Sequence, residues 1–308
     1  MASTCKQSTR YRAGRSLYGV ILAVFLVVTS GPADAQTVEQ PVMLGADTTQ
    51  DSAVMLPQVQ MPAHWVDSGT GPWPYRPMTN YAFGVAETLW YDVGWQSIVA
   101  GKGAMYVNEP VDTNGHLCYP IYSTVKSTPF FSAFFRVDDS AVTFMDVRQM
   151  YPIRFEKYLR EGKYESDRIA DFDPQFGLAY TPDDTLVVPP YVQDALSLLY
   201  HVRALELEPG TDIQIDNYSG KEVYKLTVRI LRRERIKVKA GTFSTLVVEP
   251  LLQAAGLFKH EGKLTVWLTD DRLHLPVLMK SKVLVGSIVA ELTDYRLGRI
   301  QRFRDEPE

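Results

Sequence analysis

Residues 189–205, reading PPYVQDALSLLYHVRAL, form the one long stretch of this 308-residue chain whose apolar residues recur with a helical period. Val192, Ala195, Leu196, Leu199 and Val202 fall at three- and four-residue steps, and Leu198, Tyr200 and Leu205 widen the apolar arc past a single stripe. A helix apolar around most of its circumference needs neighbours on all sides. Almost everything else in the chain alternates with a period of two between turn residues, so the neighbours are strands. The expected fold is mainly β, a strongly curved antiparallel sheet, half-barrel or open barrel, wrapped around one central helix. Pro189 and Pro190 suit the first turn of that helix, because proline there gives up an N–H that has no partner, and Pro209-Gly210 follows its end.

The first 35 residues have the three regions of a secretory signal. Lys6, Arg10, Arg12 and Arg15 form a positive start, Leu17 to Val28 a short apolar core, and Ala33-Asp34-Ala35 a small-x-small cleavage site. Cleavage is expected after Ala35, giving an exported, periplasmic or extracellular protein. With no cysteine after the apolar core it does not read as a lipoprotein, and no later run is long enough for a transmembrane helix. Loss of residues 1–35 removes four basic and one acidic side chain, so the formal charge moves from 32 − 36 = −4 to 28 − 35 = −7. That balance disfavours nucleic acid as a partner. Cys118 is then the remaining cysteine, read as a buried apolar residue.

Residues 36–78 are rich in Gln, Asp, Thr, Pro and Gly and keep no period, which predicts a linker tail whose Trp65, Trp73 and Tyr75 either dock on the domain or form a partner motif. A single β-rich domain is expected over residues 79–298, then a charged tail over 299–308. Strands are predicted at Tyr81 to Asp92 and Trp95 to Val107, with Gly101-Lys102-Gly103 as a turn, and further strands follow to Leu297. Between them, Ser127 to Phe135 carries a cap residue, a proline and phenylalanines four apart, the marks of a short helix. Phe130, Phe131, Phe134 and Phe135 either close the core or line the mouth of an apolar pocket. With Leu198, Tyr200 and His201 they make up the predicted ligand lining.

Little in the sequence points to bond-making chemistry. His64, His116, His201, His260 and His274 lack ligand spacing, and no phosphate-cradling glycine loop or nucleophile elbow occurs, so neither metal nor cofactor is expected. Asp138-Asp139, Asp183-Asp184 and Asp270-Asp271 fall where turns belong. His201 and Arg203 either face a cavity or are solvated or hydrogen-bonded groups at the helix end. The strand Glu222 to Val238 carries one basic face, Arg229, Arg233, Arg235 and Lys237, continued by Lys239. Such a row either meets lipid phosphates or an acidic partner, or is a solubilising outer face or a sheet edge guarded against pairing.

Several ordered segments resemble a family of exported bacterial envelope proteins defined as a domain of unknown function. They are Glu87 to Val93, Glu161-Gly162-Lys163, Val192 to Arg203, Val238 to Phe243 with Val247 to Pro250, Trp267 to Asp271, and Leu275-Pro276-Val277. The resemblance spans residues 80–298 and implies a mostly β fold with a helix packed in its concavity. In outline this is similar to half-barrel periplasmic lipoprotein carriers. No catalytic residues come with it. Two expectations follow. In one, a non-enzymatic envelope protein holds an acyl chain or lipidated partner in the concavity, with polar heads near the basic strand. In the other, the helix plugs the concavity and the outer face or the tail meets envelope proteins.

Overall fold

The computed structural model describes residues 72–95, 98–251, 263–282, 286–301 and 303. The signal-like segment, most of the 36–78 tail with Trp65, and the loop expected at 256–262 lie outside the described residues. Among the described residues the chain forms fifteen strands in one antiparallel sheet, and two helices. In order these are β1 (Thr88–Trp95), β2 (Ile98–Val107), β3 (Val111–Thr113), β4 (His116–Ser127), α1 (Pro129–Ser132), β5 (Asp138–Asp146), β6 (Pro152–Glu161), β7 (Tyr164–Asp173), β8 (Leu178–Tyr180) and β9 (Thr185–Val187). After α2 (Ala195–Arg203) come β10 (Asp212–Tyr218), β11 (Val223–Val238), β12 (Gly241–Leu251), β13 (Leu264–Thr269), β14 (Pro276–Lys282) and β15 (Ser287–Arg296).

Strands adjacent in sequence pair with one another, as short connections dictate, except that β2 passes over β3 to pair with β4, and one long-range pairing joins the two halves: β1 lies against β15, from Thr88 opposite Arg296 to Trp95 opposite Ile288. The sheet is therefore continuous through its two ends and open in the middle of the chain, between β9 and β10. Pro189 and Pro190 sit at that opening. Proline cannot donate to a ladder, so the pairing stops there. The segment after them partly fills the gap: Gln193 N–H donates to Asp216 at 2.9 Å, and Tyr218 N–H donates to Gln193 at 2.8 Å. Beside this bridge, Phe172 of β7 meets Tyr218 of β10 edge-on, with ring centroids 5.2 Å apart.

The helix begins later than the prolines suggest. Asp194 is its N-cap, accepting from the backbone N–H of Leu196 at 2.8 Å and Ser197 at 2.9 Å. Two satisfied orphan donors fix the start there, while Tyr191 turns the chain with φ +61°. Leu196, Leu198, Tyr200 and Val202 are buried against the sheet's inner residues, such as Leu89, Tyr91, Ile121, Leu226, Val228 and Ile230. Full burial of each such side chain contributes roughly 1.5–3 kcal/mol.

Three turn expectations are corrected. Gly101-Lys102-Gly103 lies inside β2, and Gly101 is there because a Cβ would come within 2.8 Å of the Lys126 carbonyl on β4. Val93-Gly94, read as a break, lies inside β1. Asp138-Asp139 opens β5, with Asp139 buried.

Residues flanking the expected domain pack on it. Trp73 rests edge-on against Tyr151, centroids 4.9 Å apart, and its backbone N–H donates to the Pro174 carbonyl at 2.8 Å. Arg76 stacks 3.8 Å over the Tyr191 ring, whose hydroxyl donates to the Pro74 carbonyl. At the other end, Arg299 exchanges two backbone hydrogen bonds with Val85, and Phe303 meets Tyr119 at 5.9 Å.

Candidate functional site

The concavity is occupied by α2. Arg203, in its last turn, is fully buried and donates through Nη1 and Nη2 to Glu87 Oε1 and Oε2 at 2.7 and 2.8 Å. Its remaining donors reach the carbonyls of Ala82 at 3.1 Å and Leu273 at 3.2 Å. A buried guanidinium with both faces of its charge answered is tolerated; one without partners is not. The Arg203 plane also lies 4.8 Å over Tyr200, and Tyr200 meets Phe83 edge-on at 4.8 Å. His201 is buried, with Nδ1 at 3.0 Å from the Met150 carbonyl. Burial pushes its imidazole down to about 4, so near neutrality it is uncharged and Nδ1–H is the donor. At the helix start, the Asp194 carboxylate also accepts from the Thr143 hydroxyl at 2.6 Å. Leu198, Tyr200 and His201 are thus engaged in the packed interior. His201 and Arg203 face neither a cavity nor solvent; they are hydrogen-bonded groups in the last turn of the helix, as the second reading of them allows.

The phenylalanines lie apart from that interior, on a rim where α1 meets the β6–β7 turn. Pro129 stands at the first helical turn, as expected, but the helix is a single turn. Its base is pinned: Thr128 N–H donates to Ala100 at 2.8 Å, Val137 N–H to Ser127 Oγ at 2.9 Å, and the Ser127 and Ser132 hydroxyls pair at 2.6 Å. Phe135 is half-buried against the core and against Gly162, where a Cβ would fall 2.5 Å from its ring. Phe130 and Phe134 project outward, 69% and 78% exposed, with Phe131 5.3 Å from Phe130. Of the four, Phe135 therefore helps close the core and Phe130 and Phe134 do not.

The basic face is largely neutralised. Arg229 pairs with Asp212 at 3.0 Å, Arg233 with Asp270 at 3.0 Å, and Lys239 with Asp92 at 2.5 Å. Arg235 and Lys237 are exposed. A bulge between Ile230 and Arg232 shifts the alternation along β11, so the face is not one continuous stripe.

Sequence reasoning missed a charged group on the inner face of β5 and β6. Asp139 and Glu161 are both buried, and Asp139 Oδ1 accepts from the Arg160 N–H at 2.7 Å. Burial, then the neighbouring Asp139, raise the Glu161 carboxyl to about 7. Burial likewise raises Asp139, and burial followed by the Arg168 charge lowers the Lys157 ammonium to about 8. Two carboxyl groups this close hold one proton more easily than two charges. Alternation along β6 was the available signal, since Lys157 and Glu161 share the parity of Phe155 and Leu159. Among the described residues, no three His, Cys, Asp or Glu side chains gather as a metal would require, and no helix is long and apolar enough to cross a membrane.

Residues 91–293 match the family described as "Protein of unknown function (DUF3108)". The chain belongs to this family. No curated protein matches it. Among solved structures, it is similar at 10% identity to a β-barrel-like protein of the domain of unknown function DUF1849 from Brucella abortus, covering 71% of this chain and 100% of that one with a TM-score of 0.45. A protein from Bacteroides fragilis described as exported, with a YmcC-like fold, is 11% identical over 72% of this chain and 100% of its own, with a TM-score of 0.32. One from Parabacteroides distasonis described as a lipoprotein is 13% identical over 72% and 100%, at 0.34. The DUF3108 match begins inside β1 and ends inside β15, so it takes in the helix and both sides of the opening.

Proposed function

We propose that this protein is an exported component of the bacterial envelope that works as an interaction scaffold, acting through its outer surface while its own helix fills the concavity. The observation that carries this reading is Arg203 locked onto Glu87 inside the sheet, at 0% and 1% side-chain exposure. An acyl chain would need the volume that α2 occupies, and admitting it would separate a buried ion pair, which costs roughly 3–5 kcal/mol. Export rests on the charged start, apolar core and small-x-small site of residues 1–35.

Native mass spectrometry with organic extraction, on protein purified without detergent, tests the reading. The expected result is the polypeptide mass alone, unchanged after incubation with envelope lipids. A stoichiometric, extractable lipid would overturn it. A second reading, capture of an acyl chain or lipidated partner by the phenylalanines, is favoured by the exposure of Phe130 and Phe134. In that case Phe131→Asp or Phe134→Asp removes the adduct without unfolding the protein.

A further inference from the structure

The scaffold reading leaves open which part of the outer surface makes contact, and the α1 rim is built for one kind of partner. Among the described residues Phe130 and Phe134 are the most exposed of the large apolar side chains, and they stand together, centroids 5.6 Å apart, on a turn pinned from below by Ser127, Thr128 and Ser132. Holding two phenyl rings in water on an ordered base has a standing cost and no benefit to the core. Cations flank the turn that carries them. Lys126 precedes the turn and Arg136 follows it, at 68% and 72% side-chain exposure, and Lys163 is exposed on the β6–β7 turn, where Gly162 N–H donates to the Arg136 carbonyl at 2.7 Å. Tyr164 stands beside Lys163, 45% exposed.

The acidic side chains nearby do not cancel these charges. Lys126 and Arg136 share a single carboxylate, Asp138, at 3.2 and 3.3 Å, and Asp139 and Glu161 are buried beneath the rim. Glu165 and Asp167, further along β7, are turned to Arg160. On β11, by contrast, Arg229 and Arg233 each have a carboxylate of their own, Asp212 and Asp270. The rim is thus a local excess of positive charge around protruding aromatic rings, on a chain whose formal charge is −4. Rings that enter the acyl boundary, ringed by long cations that reach phosphates, are the elements of attachment to an anionic bilayer surface.

We propose that the rim formed by α1 and the β6–β7 turn docks the protein on an anionic phospholipid surface, with Phe130 and Phe134 entering the interface and Lys126, Arg136 and Lys163 meeting lipid phosphates. This deepens the scaffold reading and rests on it. The test is co-sedimentation of the full chain, wild type and variants side by side, with vesicles of phosphatidylcholine alone and of phosphatidylcholine and phosphatidylglycerol in equal parts. Phe130→Ser with Phe134→Ser should lower partitioning onto the anionic vesicles by at least about tenfold. Lys126→Gln with Arg136→Gln and Lys163→Gln should lower it by about a hundredfold, with no loss on phosphatidylcholine. A Phe134→Trp variant should gain a blue-shifted emission, relative to wild type, only with anionic vesicles. Equal partitioning of wild type and the phenylalanine variant, or no shift from Phe134→Trp, would overturn the proposal. So would self-association that the phenylalanine substitutions abolish, which would make a second copy the occupant. None of these outcomes depends on the extraction result that decides whether the concavity is filled.

Discussion

Arg203 and Glu87 meet in the interior through two parallel hydrogen bonds, 116 residues apart in sequence, one from the last turn of α2 and the other from the segment leading into β1. The pair fastens the helix to the place where the sheet's N-terminal and C-terminal halves join. Glu87→Ala should lower the unfolding free energy by roughly 3–5 kcal/mol, because it leaves a guanidinium buried without its counter-charge. Glu87→Leu combined with Arg203→Met should cost much less than the sum of the two single changes. Urea denaturation checks both, and single variants as stable as wild type would deny the pair its fastening role.

Glu161 gives the protein a stability that falls as pH rises. Its carboxyl is raised to about 7 in the fold, above the ordinary carboxylate value, so the unfolded chain releases this proton first. The contribution is intact in acid and is lost as pH climbs through about 7. Glu161→Gln should keep the acid-side stability and gain roughly 1–3 kcal/mol over wild type at pH 8. Chemical denaturation across pH shows whether that slope disappears.

His201 acts with the opposite sign. Its imidazole is held down at about 4, so on acidification the unfolded chain takes up the proton before the folded one does. Stability from this residue is complete above its ordinary value near neutrality and is lost as pH falls through about 4. In His201→Gln, which keeps a side-chain donor for the Met150 carbonyl, the melting temperature should fall less between pH 7 and pH 4 than in wild type. An unchanged acid slope would mean that other groups control it.

Cys118 should resist alkylation. It is fully buried on β4, and burial followed by the Asp146 charge pushes its thiol well above the ordinary range. Iodoacetamide at pH 8, followed by peptide mass spectrometry, should leave it unmodified in the folded protein and modify it in urea. Rapid labelling of the native protein would contradict the packing around Trp73 and Tyr151.

The period of α2 and the alternation of the strands were legible because each is a local pattern that burial enforces residue by residue. The start of the helix was misread for a local reason too: Pro189 and Pro190 compete with Asp194 as start signals, and a side chain that satisfies two backbone donors prevails over a residue that merely lacks one. The single-turn helix at Pro129 was legible from its cap and proline. Whether its phenylalanines faced in or out was not, since four rings spaced for one face can close a core or leave it. Asp138-Asp139 reads as a turn, yet Asp139 lies buried beside Glu161, because carboxyl pairs that share a proton look like any two acids in sequence. Nothing local announces that Thr88 will lie against Arg296.

That last pairing governs the order in which the molecule can be completed. Thr88 and Arg296 are 208 residues apart, so β1, among the first strands to leave the ribosome, has one edge unsatisfied until the final strand is made. Closing so long a loop is slow relative to the hairpins on either side, and it makes folding time a property of the whole chain. Until then the exposed ladder of β1 can pair with the same strand of another copy. A truncation anywhere in β15 therefore leaves two open sheet edges where the native protein has a continuous wall, and the expected product is an aggregate rather than a shorter domain.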